Sequence, residues 1–138
     1  MVSILLLTIS ASTIVASKSK DYSNTPNFNK LSESFQCGSY ASLPGDDDFD
    51  DLSGNAASAF NIPNKPSAVI MCKCEADIAN TMRWIKPYLP STKFRIRSGG
   101  HSFGGFSLSS NAIIIDVSLM KDINIRNDGL LSIEPGVL

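Results

Sequence analysis

Several features that would announce a function by composition are missing. Histidine occurs once in the 138 residues and cysteine three times, so the ligand set for a structural or catalytic metal is thin. Twelve Lys and Arg stand against thirteen Asp and Glu, a formal net charge of −1, which gives no footprint for nucleic acid or an anionic membrane surface. The apolar run Ile4 to Ile9, broken by Thr8, is too short for a membrane-spanning helix. No Asn-x-Ser/Thr acceptor occurs, because Asn24-Thr25-Pro26 fails and the other asparagines lack the hydroxyl. Both familiar nucleotide loops are absent: no glycine loop ends in Lys-Ser/Thr, and none is spaced G-x-G-x-x-G.

What remains is an ordinary globular balance, 43% hydrophobic and 18% charged, in a chain long enough for one modest domain. Residues 1–17 read as a secretory signal, with Val15-Ala16-Ser17 supplying small residues for cleavage after Ser17. The expectation is therefore a secreted protein. From Lys18 to Glu33 the chain is rich in Ser, Asn, Lys and Asp and is read as flexible. Residues 18–60 as a whole are taken as a lead-in. They include Asp46 to Asp51, five carboxylates in six residues, which lack the alternating ligands and central glycine of a calcium loop and are read as a solvated surface loop. In an oxidising compartment Cys37 can pair with Cys72 or with Cys74, leaving one thiol over. Cys72 is expected at the end of a buried strand.

Residues 61–138 carry the folded pattern. Ala68 to Cys72 is a short apolar run of strand type. Ile78, Met82, Ile85 and Leu89 recur at helical spacing, Glu75 and Asp77 suit the first turn, and Pro87 and Pro90 end the helix near Lys86. Strands are expected at Lys93 to Ser98 and Ala112 to Ser118, and the β-α-β order implies parallel pairing. Asp122 to Arg126 and Leu130 to Glu134 flank Asn127-Asp128-Gly129, a hairpin signal. Asp116, closing an apolar run, is expected to hold the neighbouring turn. The fold class is α+β.

Phe94 to Gly105 reads F-R-I-R-S-G-G-H-S-F-G-G, a strand running into a turn with four glycines, two serines and the single histidine. Gly99-Gly100 lets the backbone take positive φ and approach a ligand closely. Successive amides there can form an anion nest, and Arg97 just before it favours a phosphate. On spacing alone, an ordinary strand-end turn and a phosphate-binding loop both fit.

Arg97-Ser98-Gly99-Gly100-His101-Ser102-Phe103 resembles the flavin-attachment loop of the berberine-bridge-enzyme-like FAD-linked oxidases, in the PCMH-type (vanillyl-alcohol-oxidase) FAD-binding superfamily. Pro66 to Ile70, Glu75 to Ile78, Ile113 to Ser118 and Leu130 to Gly136 resemble the flanking segments in the same order. The resemblance implies the first half of a PCMH-type FAD-binding domain, a truncated portion of a longer enzyme. It implies FAD as cofactor, bonded covalently through His101, with Arg97, Ser98, Gly99, Gly100, Ser102, Gly105 and Gly136 as further cofactor-binding residues. It also implies hydride transfer to the flavin from a C–H next to O or N of a small-molecule substrate, with dioxygen as acceptor. No catalytic residue is expected within these residues, and the segment alone is expected to be inactive. A non-catalytic secreted fragment and a reversible nucleotide- or phosphate-binding module are the alternatives. Ser34-Phe35-Gln36-Cys37 resembles the N-terminal cysteine motif of plant members, whose partner cysteine lies in the helix before the flavin loop. The helix expected here has none.

Overall fold

The computed structural model describes residues 26–54, 65–89 and 91–137. The expected leader at 1–17, the polar stretch up to residue 25 and the start of the domain at 61 lie outside the described residues. The elements, in order, are α1 (Phe28–Ser32), β1 (Tyr40–Ser42), α2 (Phe49–Leu52), β2 (Ala68–Met71), α3 (Glu75–Ile85), β3 (Lys93–Arg97), β4 (Ala112–Asp116), β5 (Ile123–Ile125) and β6 (Leu131–Ile133). No helix among the described residues is long and apolar enough to cross a membrane.

A four-stranded sheet has the order β1-β2-β4-β3, while β5 and β6 form a separate antiparallel hairpin. β2, β3 and β4 run parallel, as the β-α-β order predicts, but β4 inserts between β2 and β3. β1 adds antiparallel to the free side of β2. Burial on both faces explains why β2 and β4 read as continuous apolar runs rather than alternating ones. On one face Ala68, Ile70, Ile113 and Ile115 pack against Ile85 of α3 and Leu31 of α1, with Ile78 and Met82 beside them. On the other face Val69, Met71 and Ile114 pack against Phe49 and Leu108.

α3 carries the expected stripe only as far as Ile85. A 3₁₀ turn over Lys86–Tyr88 follows, and Leu89 takes extended dihedrals, φ −75° and ψ 145°. A residue before proline is pushed out of the helical region, so Leu89 leaves the stripe and stands exposed.

The described part of 18–60 is built into the fold rather than leading up to it. Asn27 caps α1 by accepting from the Lys30 amide, and Leu31 is fully buried. Cys37 and Cys74 are joined by a disulfide, which leaves Cys72 as the buried free thiol. Cys74 is the N-cap of α3, so the partner cysteine stands at the mouth of that helix rather than within it. The acidic run is likewise more than a solvated loop. Phe49 within it is 2% exposed, Asp48 accepts from the Ser42 hydroxyl at 2.6 Å, and Asp46 accepts from the Leu43 amide at 2.8 Å. Asp46, Asp47, Asp50 and Asp51 keep their exposure. An apolar anchor in the middle of the run has turned it into the cap and body of a short helix.

The hairpin forms where the sequence places it. Gly129 has φ 83° and its amide donates to Arg126 O at 2.9 Å, the left-handed position that a three-residue hairpin loop requires.

Candidate functional site

Met71, Asp116 and Arg97 are register partners across β2, β4 and β3. They end the three parallel strands at one level and on one face. Ligands of open α/β sheets bind in the crevice beyond these carboxyl ends. Here those three residues line a cavity of about 450 Å³. The turn after β3 adds Gly99 and Gly100, the turn after β4 adds Ser118, and Asp51, Leu52 and Gly54 close the third side.

Gly99 (φ 62°) and Gly100 (φ 67°) are both left-handed, a conformation that costs other residues about 1–2 kcal/mol each. With no Cβ on either, a planar or phosphate-bearing ligand can rest against the backbone. Their own amides are already used: Gly99 N donates to Ser118 Oγ at 2.8 Å and Gly100 N to Ser98 O at 2.8 Å. These two amides are therefore turned into the protein rather than toward an anion.

Arg97 is 6% exposed and Asp116 2%, and the two form a buried ion pair through Nε and Oδ2. Arg97 Nη1 also donates to Gly54 O at 2.7 Å. A guanidinium so engaged has its charge balanced from within the protein and brings little free field to a phosphate. Asp116 holds the turn, as its position suggests, by accepting from the Ser118 amide at 2.7 Å and from the Ser118 hydroxyl.

The remaining residues expected at the site follow around or behind the turn. Ser98 donates its hydroxyl to Pro135 O, which docks the segment after β6 against the start of the turn. Gly136 is buried, with its amide on Met120 O at 2.8 Å. A Cβ there would stand 2.5–2.6 Å from the carbonyl oxygens of Val117, Ser118 and Met120, so its glycine serves close backbone packing. Ser102 O accepts from Gly105 N at 3.0 Å, and Ser102 Oγ accepts from Phe106 N at 3.2 Å. Gly105 is buried at φ 66°. His101 follows Gly100 directly and is exposed.

Sequence reasoning found the turn but missed Ser118, Gly54 and the ion-pair role of Asp116. Arg97 facing Asp116 follows only once β4 is known to lie beside β3. Nothing in Asp51 to Gly54 signals a cavity wall.

A second cluster joins Cys37, Cys74 and Asp77, whose potential ligand atoms lie within 4.8 Å of one another. The two sulfurs are bonded to each other, and the Asp77 carboxylate accepts from Gln36 N, Cys37 N and Ser39 Oγ. This is a crosslinked, hydrogen-bonded corner with no thiolate to offer a metal.

The left-handed glycines give backbone access at the crevice beyond the strand ends, and the histidine that follows them is exposed. Residues 66–138 match the family described as FAD binding domain. An uncharacterized FAD-linked oxidoreductase, YgaK, of Bacillus subtilis (strain 168) is 38% identical over 72 residues, covering 51% of this chain and 16% of that protein. Reticuline oxidase of Eschscholzia californica is 40% identical over 58 residues, covering 42% of this chain and 10% of that protein. Among solved structures, 6-hydroxy-D-nicotine oxidase from Arthrobacter nicotinovorans superposes with a TM-score of 0.64 at 25% identity, over 74% of this chain and 22% of that one. A variant of berberine bridge enzyme superposes with a TM-score of 0.63 at 29% identity, over 79% of this chain and 24% of that one. The chain thus spans a sixth or less of the length of these two curated relatives. With this fold, this turn and these matches, the chain belongs to the FAD-binding-domain family of the berberine-bridge-enzyme-like, PCMH-type oxidases.

Proposed function

We propose that the chain is the N-terminal part of a secreted FAD-dependent oxidase whose flavin is bonded to the imidazole of His101. The observation that carries this reading is the left-handed Gly99-Gly100 pair at the cavity, followed at once by an exposed histidine. Bound there, FAD would supply the two-electron redox chemistry of an oxidase, hydride acceptance from a C–H next to O or N with dioxygen as the final acceptor. The residues of this chain bind and orient. Gly99 and Gly100 would give the cofactor a wall without side chains, which lets a pyrophosphate approach the backbone of the turn. The paired Arg97 and Asp116 fix the ends of β3 and β4 beneath it. His101 would hold the cofactor by an imidazole nitrogen that replaces one hydrogen of the flavin's 8α carbon, the proton of that C–H and the N–H proton being released and its two electrons passing through the flavin to dioxygen, after which the cofactor could not dissociate. Secretion is supported by residues 1–17 and by a disulfide of the kind that persists in oxidising compartments.

The test is acid precipitation of the full-length protein, followed by mass analysis of the His101 peptide. Flavin should remain with the parent polypeptide and leave the His101→Ala variant. Flavin still attached in that variant refutes the anchor. A parent protein that binds adenine nucleotides reversibly and never turns yellow supports the nucleotide-module alternative instead.

A further inference from the structure

The glycine turn is held by a closed ring of interactions that begins and ends almost at the same point of the chain. Arg97 Nε meets Asp116 Oδ2. Asp116 Oδ1 accepts from both the amide and the hydroxyl of Ser118. Ser118 Oγ, its proton directed at Asp116, turns a lone pair outward and accepts from Gly99 N at 2.8 Å. Gly99 lies two residues after Arg97, so the ring closes across the ends of two neighbouring parallel strands.

Each link has a physical consequence. The Arg97 charge, buried and matched by Asp116, gives the carboxylate a fixed orientation. An ionised carboxylate accepting from the hydroxyl polarises it, which strengthens the bond that hydroxyl accepts from Gly99. That last bond holds the first left-handed residue of the turn at φ 62°. Without it the Gly99 amide would be free to seek another acceptor, and glycine has more conformations to escape into than any other residue.

We infer that Asp116 and Ser118 are positioning residues for the cofactor: through Gly99 they hold the turn in its cofactor-accepting shape before FAD arrives. The inference rests on the flavin reading above and deepens it. Neither side chain needs to touch the reacting atoms. The benefit of such a ring is preorganisation, since a turn already ordered loses less entropy on binding.

The experiment uses the full-length flavoprotein and the variants Ser118→Ala and Ser118→Thr, produced without FAD and then supplied with it. Covalent flavin per polypeptide is followed with time, alongside thermal unfolding of each flavin-free protein. Ser118→Ala removes both bonds of the hydroxyl, and loss of the one that holds Gly99 corresponds to a factor of about 5–10, so the variant should take up FAD about 5–10 times more slowly. Its unfolding midpoint should stay within a few degrees of the parent. Ser118→Thr, which keeps the hydroxyl, should restore uptake to within about twofold, a rescue that loss of packing alone does not give. A second measurement stands if Ser118→Ala fails to fold: amide hydrogen exchange at Gly99 in the flavin-free parent, where slow exchange is expected. Parental uptake by Ser118→Ala, or Gly99 exchange as fast as in an unfolded chain, overturns the inference while leaving the flavin reading intact. A parent that never takes up flavin overturns both.

Discussion

Asp77 offers the sharpest test of how the N-terminal segment is held against the sheet that carries the cavity. Its carboxylate is fully buried at the first turn of α3. It accepts from Gln36 N at 2.8 Å, Cys37 N at 3.1 Å and Ser39 Oγ at 2.6 Å. Burial works to raise its pKa, but the hydroxyl of Ser39 and the amides of Gln36 and Cys37 outweigh it, and the net shift is downward. Bonds to a charged acceptor contribute about 1.5–3 kcal/mol each and do not add fully. Gln36 and Cys37 can regain water once released, because both are exposed. Asp77→Ala should therefore cost about 3–4 kcal/mol, and Asp77→Asn about 2 kcal/mol, in urea unfolding at pH 7. The sign with pH follows from the downward shift. The carboxylate's contribution is complete above its ordinary value near 3.9 and is lost as pH falls through the lower folded-state value. The stability gap between parent and Asp77→Asn should then narrow below about pH 4. A variant within about 1 kcal/mol of the parent at pH 7, or a gap that stays constant into acid, refutes the reasoning.

Three further outcomes are expected. Burial, opposed by the Thr81 hydroxyl and assisted by Asp77 and Asp116, pushes the Cys72 thiol up to about 11. At pH 8 it should stay neutral and resist iodoacetamide in the folded protein, gaining one adduct by mass only on unfolding; native modification at the rate of a free cysteine contradicts this. Gly136→Ala would drive a Cβ into three backbone carbonyls that cannot rotate away, so it should destabilise by about 2–3 kcal/mol in urea unfolding. Gly45→Ala, with nothing within 4 Å of its added Cβ, should cost only the strain of its φ of 105°.

Local patterns were legible where one residue type forces one geometry. The Asn127-Asp128-Gly129 turn, the apolar strands at 68 and 112 and the Gly99-Gly100 turn all appear where their residues demand them. What stayed hidden depends on contacts between segments distant in sequence. Nothing local distinguishes Cys74 from Cys72 as the partner of Cys37, since the choice follows from which one stands at the helix mouth and which one points into the core. Phe49 looks like a lone apolar residue in an acidic stretch until Val69, Met71 and Ile114 present it with a surface. Arg97, read as a phosphate ligand from its place before the glycines, turns inward because β4 brings a carboxylate beside it. Leu89 continues the helical stripe by spacing, but the steric demand of the following proline overrides the periodicity.

The row that crosses the sheet at Tyr40, Met71, Asp116 and Arg97 also acts as a vernier for strand alignment. Side chains alternate faces along a strand, so a one-residue slip of β3 along β4 would bring Ile96 opposite Asp116 and swing Arg97 to the face covered by α3. Two buried charges would then be stranded apart, at a cost of about 3–5 kcal/mol. An apolar pair at the same two positions would tolerate the slip far better, because aliphatic side chains have no single partner to lose. The aligned pair thus makes the misaligned sheet unfavourable, and the glycine turn that follows β3 inherits its starting point to within a single peptide unit.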